Sequence, residues 1–299
     1  MQWEPMSSTR TTEPVTVRVG PAHAATTTRR PDARPVLAQA VDTALVALDI
    51  DGTIAVSGTS EITGPVRDAV ARVRAAGHHV VLASGRSLVG IVPIARELGI
   101  STGWVVASNG AVTARLSPGT TGGYQLSDVR TFDPEPVLQR ALALMPEVNL
   151  AVEEIGWGYR VLDRFAEGGI NGAQEVVPLA DLWSVPVTRA VVKGPRAAEV
   201  LLGPLRSLEV TATPAAEDWI DVTPMNLSKA TSLEIIRRTL HVSQERTIAV
   251  GDGVNDLEMM EWAARGVAMG HSSDAVKAGA DEITGTLADD GLVPVLLSV

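Results

Sequence analysis

Two acidic residues, Asp49 and Asp51, follow the apolar run "LVAL" at residues 45–48 and precede Gly52. Residues two apart in an extended strand project from the same face, so this spacing directs both carboxylates to one point. Carboxylates held together in this way could bind a hard cation. A solvated turn at the end of the strand would also account for the acids, so the rest of the chain has to decide.

Three further segments end an apolar run in polar residues and glycine, namely "SGR" at 84–86, "SNGA" at 108–111 and "GDGVND" at 251–256. The carboxyl ends of parallel strands form the crevice where ligands bind in an open α/β sheet. Four such turns on one rim indicate a site, which Asp252 and Asp256 approach from a second strand. Several carboxylates in one crevice need a neutralising cation, so we predict a hard divalent metal, with Mg²⁺ favoured.

The remaining polar residues of these turns suit a phosphoryl group. Ser84 lies at a strand end, and Lys229 arrives in "NLSKAT" as one of three lysines in the chain. The backbone N–H groups of the turn at Gly52 and Thr53 can add to a field that stabilises negative charge. Neither a G-x-x-x-x-G-K-[ST] loop nor a G-x-G-x-x-G fingerprint in a strand–helix context is present, which argues against those nucleotide sites.

The elements that position these turns alternate between strand and helix from residue 44 onward, which is typical of a parallel α/β sheet. The middle of the chain differs, because its strands follow one another directly and predict an inserted antiparallel α+β module. We therefore predict a Rossmann-like α/β core at 41–117 and 222–299, an inserted cap at 118–221 and a disordered tail at 1–40. Trp157 lies between two glycines at a predicted hairpin tip, where it is more easily exposed to a ligand or partner than buried.

Composition limits the class of protein. The 299 residues contain no cysteine and carry a net charge of −10, which excludes disulfides and thiolate chemistry and argues against nucleic-acid binding. No apolar run reaches the ~18 residues of a membrane span. The arginine pair at 29–30 precedes the predicted core strand, so a cleaved leader is not expected. We expect a soluble, cytoplasmic monomer or small homo-oligomer without membrane partners.

The ordered set "DIDGT", "SGR", "NLSKAT" and "GDGVND" resembles the haloacid dehalogenase (HAD) superfamily of phosphohydrolases, and more narrowly its Cof-type subgroup. The resemblance runs from about residue 45 to the C-terminus, and in this subgroup a large α/β cap follows the second motif. It implies that Asp49 is a nucleophile that forms an aspartyl-phosphate and that Asp51 is the general acid and base. It also implies that Mg²⁺ is held by Asp49, the backbone carbonyl of Asp51 and Asp252, with Asp256 close by.

The resemblance also gives roles to the polar turns. Ser84 and Lys229 would bind phosphoryl oxygens, with Lys229 also holding the carboxylates. The complete predicted phosphate-binding set is Gly52, Thr53, Ser84, Gly85, Asn109, Lys229 and Asn255. Two positions depart from the family pattern: Ser84 replaces a common threonine, and His271 replaces a common asparagine near the rim of the cleft. We interpret His271 as a solvated loop residue.

Three functions fit these residues. We expect a Mg²⁺-dependent phosphatase for a small phosphorylated metabolite such as a sugar phosphate. A sugar phosphomutase is the alternative that would release an isomerised sugar phosphate instead of inorganic phosphate. A non-catalytic phosphometabolite-binding regulator is the third, although pure binding needs no general acid. Substrate choice is expected to depend on the cap, where Trp157 and Tyr159 are predicted to stack on the substrate.

Overall fold

The computed structural model describes residues 43–299, which form fourteen strands and eight α-helices. The strands are β1 (Leu45–Leu48), β2 (His79–Ala83), β3 (Gly103–Ala107), β4 (Val112–Leu116), β5 (Tyr124–Val129), β6 (Asn149–Glu154), β7 (Gly158–Val161), β8 (Ala173–Val176), β9 (Ala190–Lys193), β10 (Val210–Ala216), β11 (Trp219–Pro224), β12 (Thr247–Gly251), β13 (Arg265–Ala268) and β14 (Glu282–Ile283). The helices are α1 (Gly64–Ala75), α2 (Leu88–Glu97), α3 (Glu135–Leu144), α4 (Ala197–Arg206), α5 (Lys229–Thr239), α6 (Leu257–Trp262), α7 (Asp274–Ala278) and α8 (Leu292–Leu297). The predicted tail at 1–40 lies outside the described residues.

The first sheet has eight strands in the order β14-β13-β12-β1-β2-β3-β4-β5. Neighbours from β14 to β3 are parallel, and the two pairs that add β4 and β5 are antiparallel. β1 lies in the middle, with Leu48 opposite both Val250 of β12 and Leu82 of β2. The carboxyl ends of these three strands therefore meet at one edge, and the predicted α/β fold is confirmed.

Both faces of β1 are buried, which is why its sequence is uniformly apolar. Val46 and Leu48 pack with residues of α1, α2 and α8, whereas Leu45 and Ala47 pack with residues of α5 and α6 on the opposite face. Fully burying each such leucine or valine contributes roughly 1.5–3 kcal/mol. The strand is thus a rigid base for the acidic residues that follow it.

The second sheet has six strands in the order β10-β11-β9-β6-β7-β8. All its pairs are antiparallel except β7 with β8, and β6 and β7 form the predicted hairpin. β5 belongs to the first sheet, so the chain changes sheets after residue 129, and it returns to the first sheet at β12. The division into core and cap at 118 and 221 stays a prediction from sequence. None of the helices described in residues 43–299 is both long and apolar enough to cross a membrane.

A tight turn after β3 brings α5 against the first sheet. Gly110 in this turn has φ +106°, a conformation that favours glycine, and a Cβ atom there would lie 2.4 Å from the carbonyl oxygen of Ser228. Ser232 of α5 donates a hydrogen bond to the carbonyl oxygen of Gly110 at 2.9 Å. The absence of a side chain at Gly110 therefore sets where α5 begins.

We expect Gly110→Ala to destabilise the fold more than Gly99→Ala does. Gly99 also has a positive φ, +67°, but a Cβ atom there meets nothing within 4 Å. Its substitution should cost only the left-handed strain of about 1–2 kcal/mol. Gly110→Ala adds a collision with backbone and should lower Tm further. Thermal denaturation followed by circular dichroism compares the two variants, and equal losses of Tm would contradict this account of the turn.

Candidate active site

The structure brings three acidic residues together at the edge of the first sheet. Asp49 follows β1, and Asp252 and Asp256 follow the neighbouring β12; the backbone N–H of Asp49 donates to the carbonyl oxygen of Val250 at 3.0 Å. One carboxylate oxygen from each acid lies within 4.8 Å of those from the other two. We call Asp49, Asp252 and Asp256 the acid cluster.

Lys229 neutralises part of the acid cluster from the first residue of α5. Its Nζ atom lies 2.6 Å from Oδ1 of Asp49 and 2.6 Å from Oδ1 of Asp256, and its side chain is completely buried. The second oxygen of Asp256 accepts hydrogen bonds from the backbone N–H groups of Asp252 and Gly253. One ammonium group thus holds residues from two strand ends in place.

The charges in the acid cluster remain unbalanced. Burial and the neighbouring carboxylate of Asp256 raise the pKa of Asp49 well above its ordinary value. The same two causes raise the pKa of Asp252 to about 6. Burial alone would lower the pKa of Lys229, but Asp256 and Asp49 outweigh it and raise the pKa. Three carboxylates against one ammonium group make a site that a divalent cation would neutralise, so the donor set fits such an ion.

The carboxylate of Asp51 belongs to a different arrangement. Nε and one Nη atom of Arg86 donate to its two oxygens at 2.8 and 2.7 Å, and the backbone N–H of Gly58 donates to one of them at 2.9 Å. Burial raises the pKa of Asp51, but the hydrogen bonds and charge of Arg86 outweigh it, so the net pKa lies below its ordinary value. Arg86 is part of the "SGR" segment, yet sequence reasoning gave it no role.

The predicted phosphate-binding residues lie around the same edge. Ser84 is buried at the end of β2, and its Oγ atom accepts the backbone N–H of Arg86. Asn255 donates a side-chain hydrogen bond to Oδ1 of Asn109 at 3.0 Å. Their contacts with phosphate stay predictions.

The turn after Asp51 is tightly built. Gly52 has φ +80°, and a Cβ atom there would lie 2.2 Å from Oδ2 of Asp252, so only glycine lets that carboxylate pack against the turn. The backbone N–H groups of Gly52 and Thr53 donate to the carbonyl oxygens of Ala55 and Ile50. A phosphoryl oxygen would have to share these donors. The Oγ1 atom of Thr53 is buried and has no hydrogen-bond partner within the described part of the chain.

A cavity of about 480 Å³ connects this edge to the second sheet. The loops at the edge of the first sheet contribute to its lining Asp49, Asp51, Ser84, Gly85, Asp252 and Asn255. Tyr159, Arg189, Trp219 and Asp221 line it from the second sheet or directly beside its strands, and we call these four residues the distal wall. Sequence reasoning missed three of these four distal residues. The only signal for Arg189 and Asp221 is that each is a charged residue beside apolar strand residues, in "TRAVV" and "WIDVT".

Two residues singled out in the sequence differ in position. Tyr159 is buried in the distal wall, whereas Trp157 has 45% of its surface exposed and is not among the described residues that line the cavity. A role for either one in stacking on a substrate stays a prediction.

Nε2 of His271 lies 3.6 Å from Oδ2 of Asp252, and its Nδ1 accepts the backbone N–H of Leu287. His271 is an exposed turn residue, as interpreted from the sequence, and it also lies beside Asp252 at the site.

Comparison with known proteins gives consistent matches. A family model described as haloacid dehalogenase-like hydrolase matches residues 46–128 and 201–296. The 5-amino-6-(5-phospho-D-ribitylamino)uracil phosphatase YitU of Bacillus subtilis (strain 168) is 27% identical over 267 residues, covering 84% of this chain and 96% of that protein. The pyridoxal phosphate phosphatase YbhA of Escherichia coli (strain K12) is 26% identical over 280 residues, covering 86% and 98%. The crystal structure of a haloacid dehalogenase-like hydrolase from Bacteroides thetaiotaomicron has a TM-score of 0.71 at 25% identity, covering 86% and 99%.

We expect Lys229→Met to lower the free energy of unfolding by about 3–5 kcal/mol, because it leaves buried carboxylates without a positive partner. The double variant Lys229→Met/Asp256→Asn should recover part of this loss, since it removes one uncompensated charge. Lys277→Met, outside the cluster, should change stability by less than about 0.5 kcal/mol. Urea denaturation measures all three, and a Lys229→Met variant as stable as the parent would contradict the assigned ion pairs.

Proposed function

The chain belongs to the haloacid dehalogenase-like hydrolase family, and from this premise we propose that it is a Mg²⁺-dependent phosphatase that hydrolyses a small phosphorylated metabolite. The observation that carries the proposal is the acid cluster with Lys229 buried in it, opening into a cavity that also contacts Asp51. Carboxylates, an ammonium group and hydroxyl or amide donors in one crevice suit the transfer of a phosphoryl group, whose catalysis is mainly positioning and charge stabilisation.

Asp49 is the proposed nucleophile. One of its oxygens attacks phosphorus and forms a new P–O bond, while the bond from phosphorus to the leaving oxygen breaks. Asp51 donates a proton to that leaving oxygen, which departs as an alcohol. Asp51 then accepts a proton from a water molecule whose oxygen attacks phosphorus. The bond between phosphorus and Asp49 breaks, and inorganic phosphate leaves.

Arg86 affects the protonation state of Asp51 in both halves of this cycle. Its two hydrogen bonds hold Asp51 as a carboxylate, which is the form that activates water in the second half. The first half requires a protonated Asp51, so in the proposed cycle Asp51 separates from Arg86 when the substrate binds and takes up a proton from solvent. The guanidinium group would then be free to meet the incoming negative charge.

The proposed Mg²⁺ ion would be held by Asp49, Asp252 and Asp256, together with the backbone carbonyl of Asp51. When bound, it supplies charge neutralisation and polarisation of the phosphoryl group. Side chains orient the reacting groups: Lys229 fixes the orientation of Asp49, and Ser84 and Asn255 offer hydrogen bonds to phosphoryl oxygens. Residues of the second sheet line one side of the cavity.

The relatives support a small substrate. YitU acts by its name on a phosphorylated ribitylaminouracil, and YbhA acts on pyridoxal phosphate. Both substrates are single phosphate esters of small molecules, and a cavity of about 480 Å³ suits this size class. We include sugar phosphates in the proposed class.

We expect the purified chain to hydrolyse p-nitrophenyl phosphate with Mg²⁺, and Asp49→Asn to lower kcat by at least about 10³-fold because the amide is no nucleophile. Asp68→Asn, on the exposed side of α1, is the matched control and should retain full activity. Release of p-nitrophenol and of inorganic phosphate measures both. Activity that survives in Asp49→Asn would exclude the proposed mechanism.

We expect Mg²⁺ to raise Tm, because an ion that binds only the folded chain stabilises it by about 2.7 kcal/mol at 100 times its Kd. Asp252→Asn should remove most of this shift, whereas Asp68→Asn should keep it. Differential scanning fluorimetry with and without Mg²⁺ gives the readout independently of activity. An undiminished shift in Asp252→Asn would place the ion elsewhere.

A further inference from the structure

The distal wall contains a buried ion pair that the proposed chemistry does not use. One Nη atom of Arg189 lies 2.7 Å from Oδ1 of Asp221, and the two side chains are 8% and 5% exposed. Arg189 directly precedes β9, and Asp221 lies within β11, the strand that pairs with β9. Both residues line the cavity from the side of the second sheet, whereas the acid cluster belongs to the edge of the first sheet.

Neighbouring groups fix the orientation of both partners. The other Nη atom of Arg189 donates to the carbonyl oxygen of Gly85 at 2.6 Å and to the hydroxyl of Tyr159 at 3.1 Å. Asp221 accepts hydrogen bonds from Nε1 of Trp219 at 2.9 Å and from the amide of Asn109 at 3.2 Å. Each partner of the pair is therefore held in the wall by two further hydrogen bonds.

This pairing determines how strongly the distal wall attracts a negatively charged group of a substrate. A buried arginine facing a cavity would by itself attract a carboxylate or a second phosphate group of a substrate. Here Asp221 already neutralises Arg189, so an additional anion meets attraction and repulsion of similar size. The anion would also lose its hydration without gaining a new partner, which makes its burial unfavourable.

Arg86 also lines the cavity, but it faces Asp51 and meets the phosphoryl group in the proposed cycle. The other charged groups near the distal wall do not change this balance. Glu153 lies behind the wall, accepts hydrogen bonds from Ser108 and Thr188, and can add only negative charge. Lys193 pairs with Asp218 on the surface, and neither is among the described residues that line the cavity. The distal wall thus offers no uncompensated positive charge among the residues that the structure describes.

We infer that the Arg189–Asp221 pair restricts the enzyme to phosphate esters whose far end is uncharged and rejects esters that carry a second anionic group. This inference rests on the proposed phosphatase function and adds the charge class of the substrate. Uncharged far ends include hydroxyl groups and neutral rings, which can hydrogen-bond to the wall without competing for either charge.

The first test uses the parent enzyme with substrates that differ in one group. Glycerol 3-phosphate is paired with 3-phosphoglycerate, and sorbitol 6-phosphate with 6-phosphogluconate, so that in each pair a carboxylate replaces a terminal CH2OH group. We expect kcat/KM to be at least about tenfold higher for the uncharged member of each pair that is turned over. Equal values for the two members would overturn the inference.

The second test removes the negative charge that neutralises Arg189. Asp221→Asn keeps an acceptor oxygen for Arg189 and Trp219 but removes the negative charge, so it should shift the kcat/KM ratio towards the carboxylate substrates by about tenfold. Asp218→Asn is the matched control, because it removes an acid close in sequence but outside the cavity, and it should leave the ratio unchanged. An unchanged ratio in folded Asp221→Asn would also overturn the inference.

Two further measurements distinguish a failure of the charge inference from misfolding of Asp221→Asn and from a failure of the proposed phosphatase function. Circular dichroism shows whether Asp221→Asn folds, since the new amide faces Asn109; if it does not fold, the substrate pairs on the parent enzyme decide. Calorimetry with the Asp49→Asn variant measures binding of the same pairs without turnover. Tighter binding of the uncharged members with no hydrolysis by the parent would refute the phosphatase and support the charge class, whereas equal binding would refute the charge class alone.

Discussion

The ammonium group of Lys229 is the interaction on which the site depends. A fully buried charge is tolerated only with close partners, and this one has Asp49 and Asp256 at 2.6 Å each. Its position in turn requires α5 to start where it does, against the turn at Gly110. The apolar strand β1 fixes Asp49 on the other side. The positions of Lys229 and Asp49 are therefore determined by the packing of α5 and β1.

Much of the fold follows from sequence patterns that have one physical solution. The run "LVAL" can be uniformly apolar only if β1 is covered on both faces, and the structure buries all four residues. Acids at the ends of neighbouring parallel strands must meet at one edge, so the approach of Asp49 to Asp252 was predictable. The membership of β5 in the first sheet was not predictable. β5 adds in antiparallel fashion at the edge of the sheet, and its mostly exposed residues show no pattern of burial in the sequence.

The missed residues share a different property. Arg86, Arg189 and Asp221 act through pairing, and a pair between distant segments has no local signature in one chain. Each looks like an isolated charge near a strand, which is a common feature of exposed edges. Trp157 illustrates the opposite case, since its place at a hairpin tip was predictable but its distance from the cavity depends on how the hairpin packs.

The contacts between the two sheets have a kinetic consequence. Arg189 bonds to Gly85, Glu153 to Ser108, and Asp221 to Asn109, so all three polar bridges end on the loops after β2 and β3. Moving the two sheets apart to widen the cavity would break these bridges, which end on Gly85, Ser108 and Asn109. In the proposed phosphatase, entry of substrate and departure of product would be coupled to a brief loss of order in these loops, and the residence time of the product would depend on how often the two sheets separate.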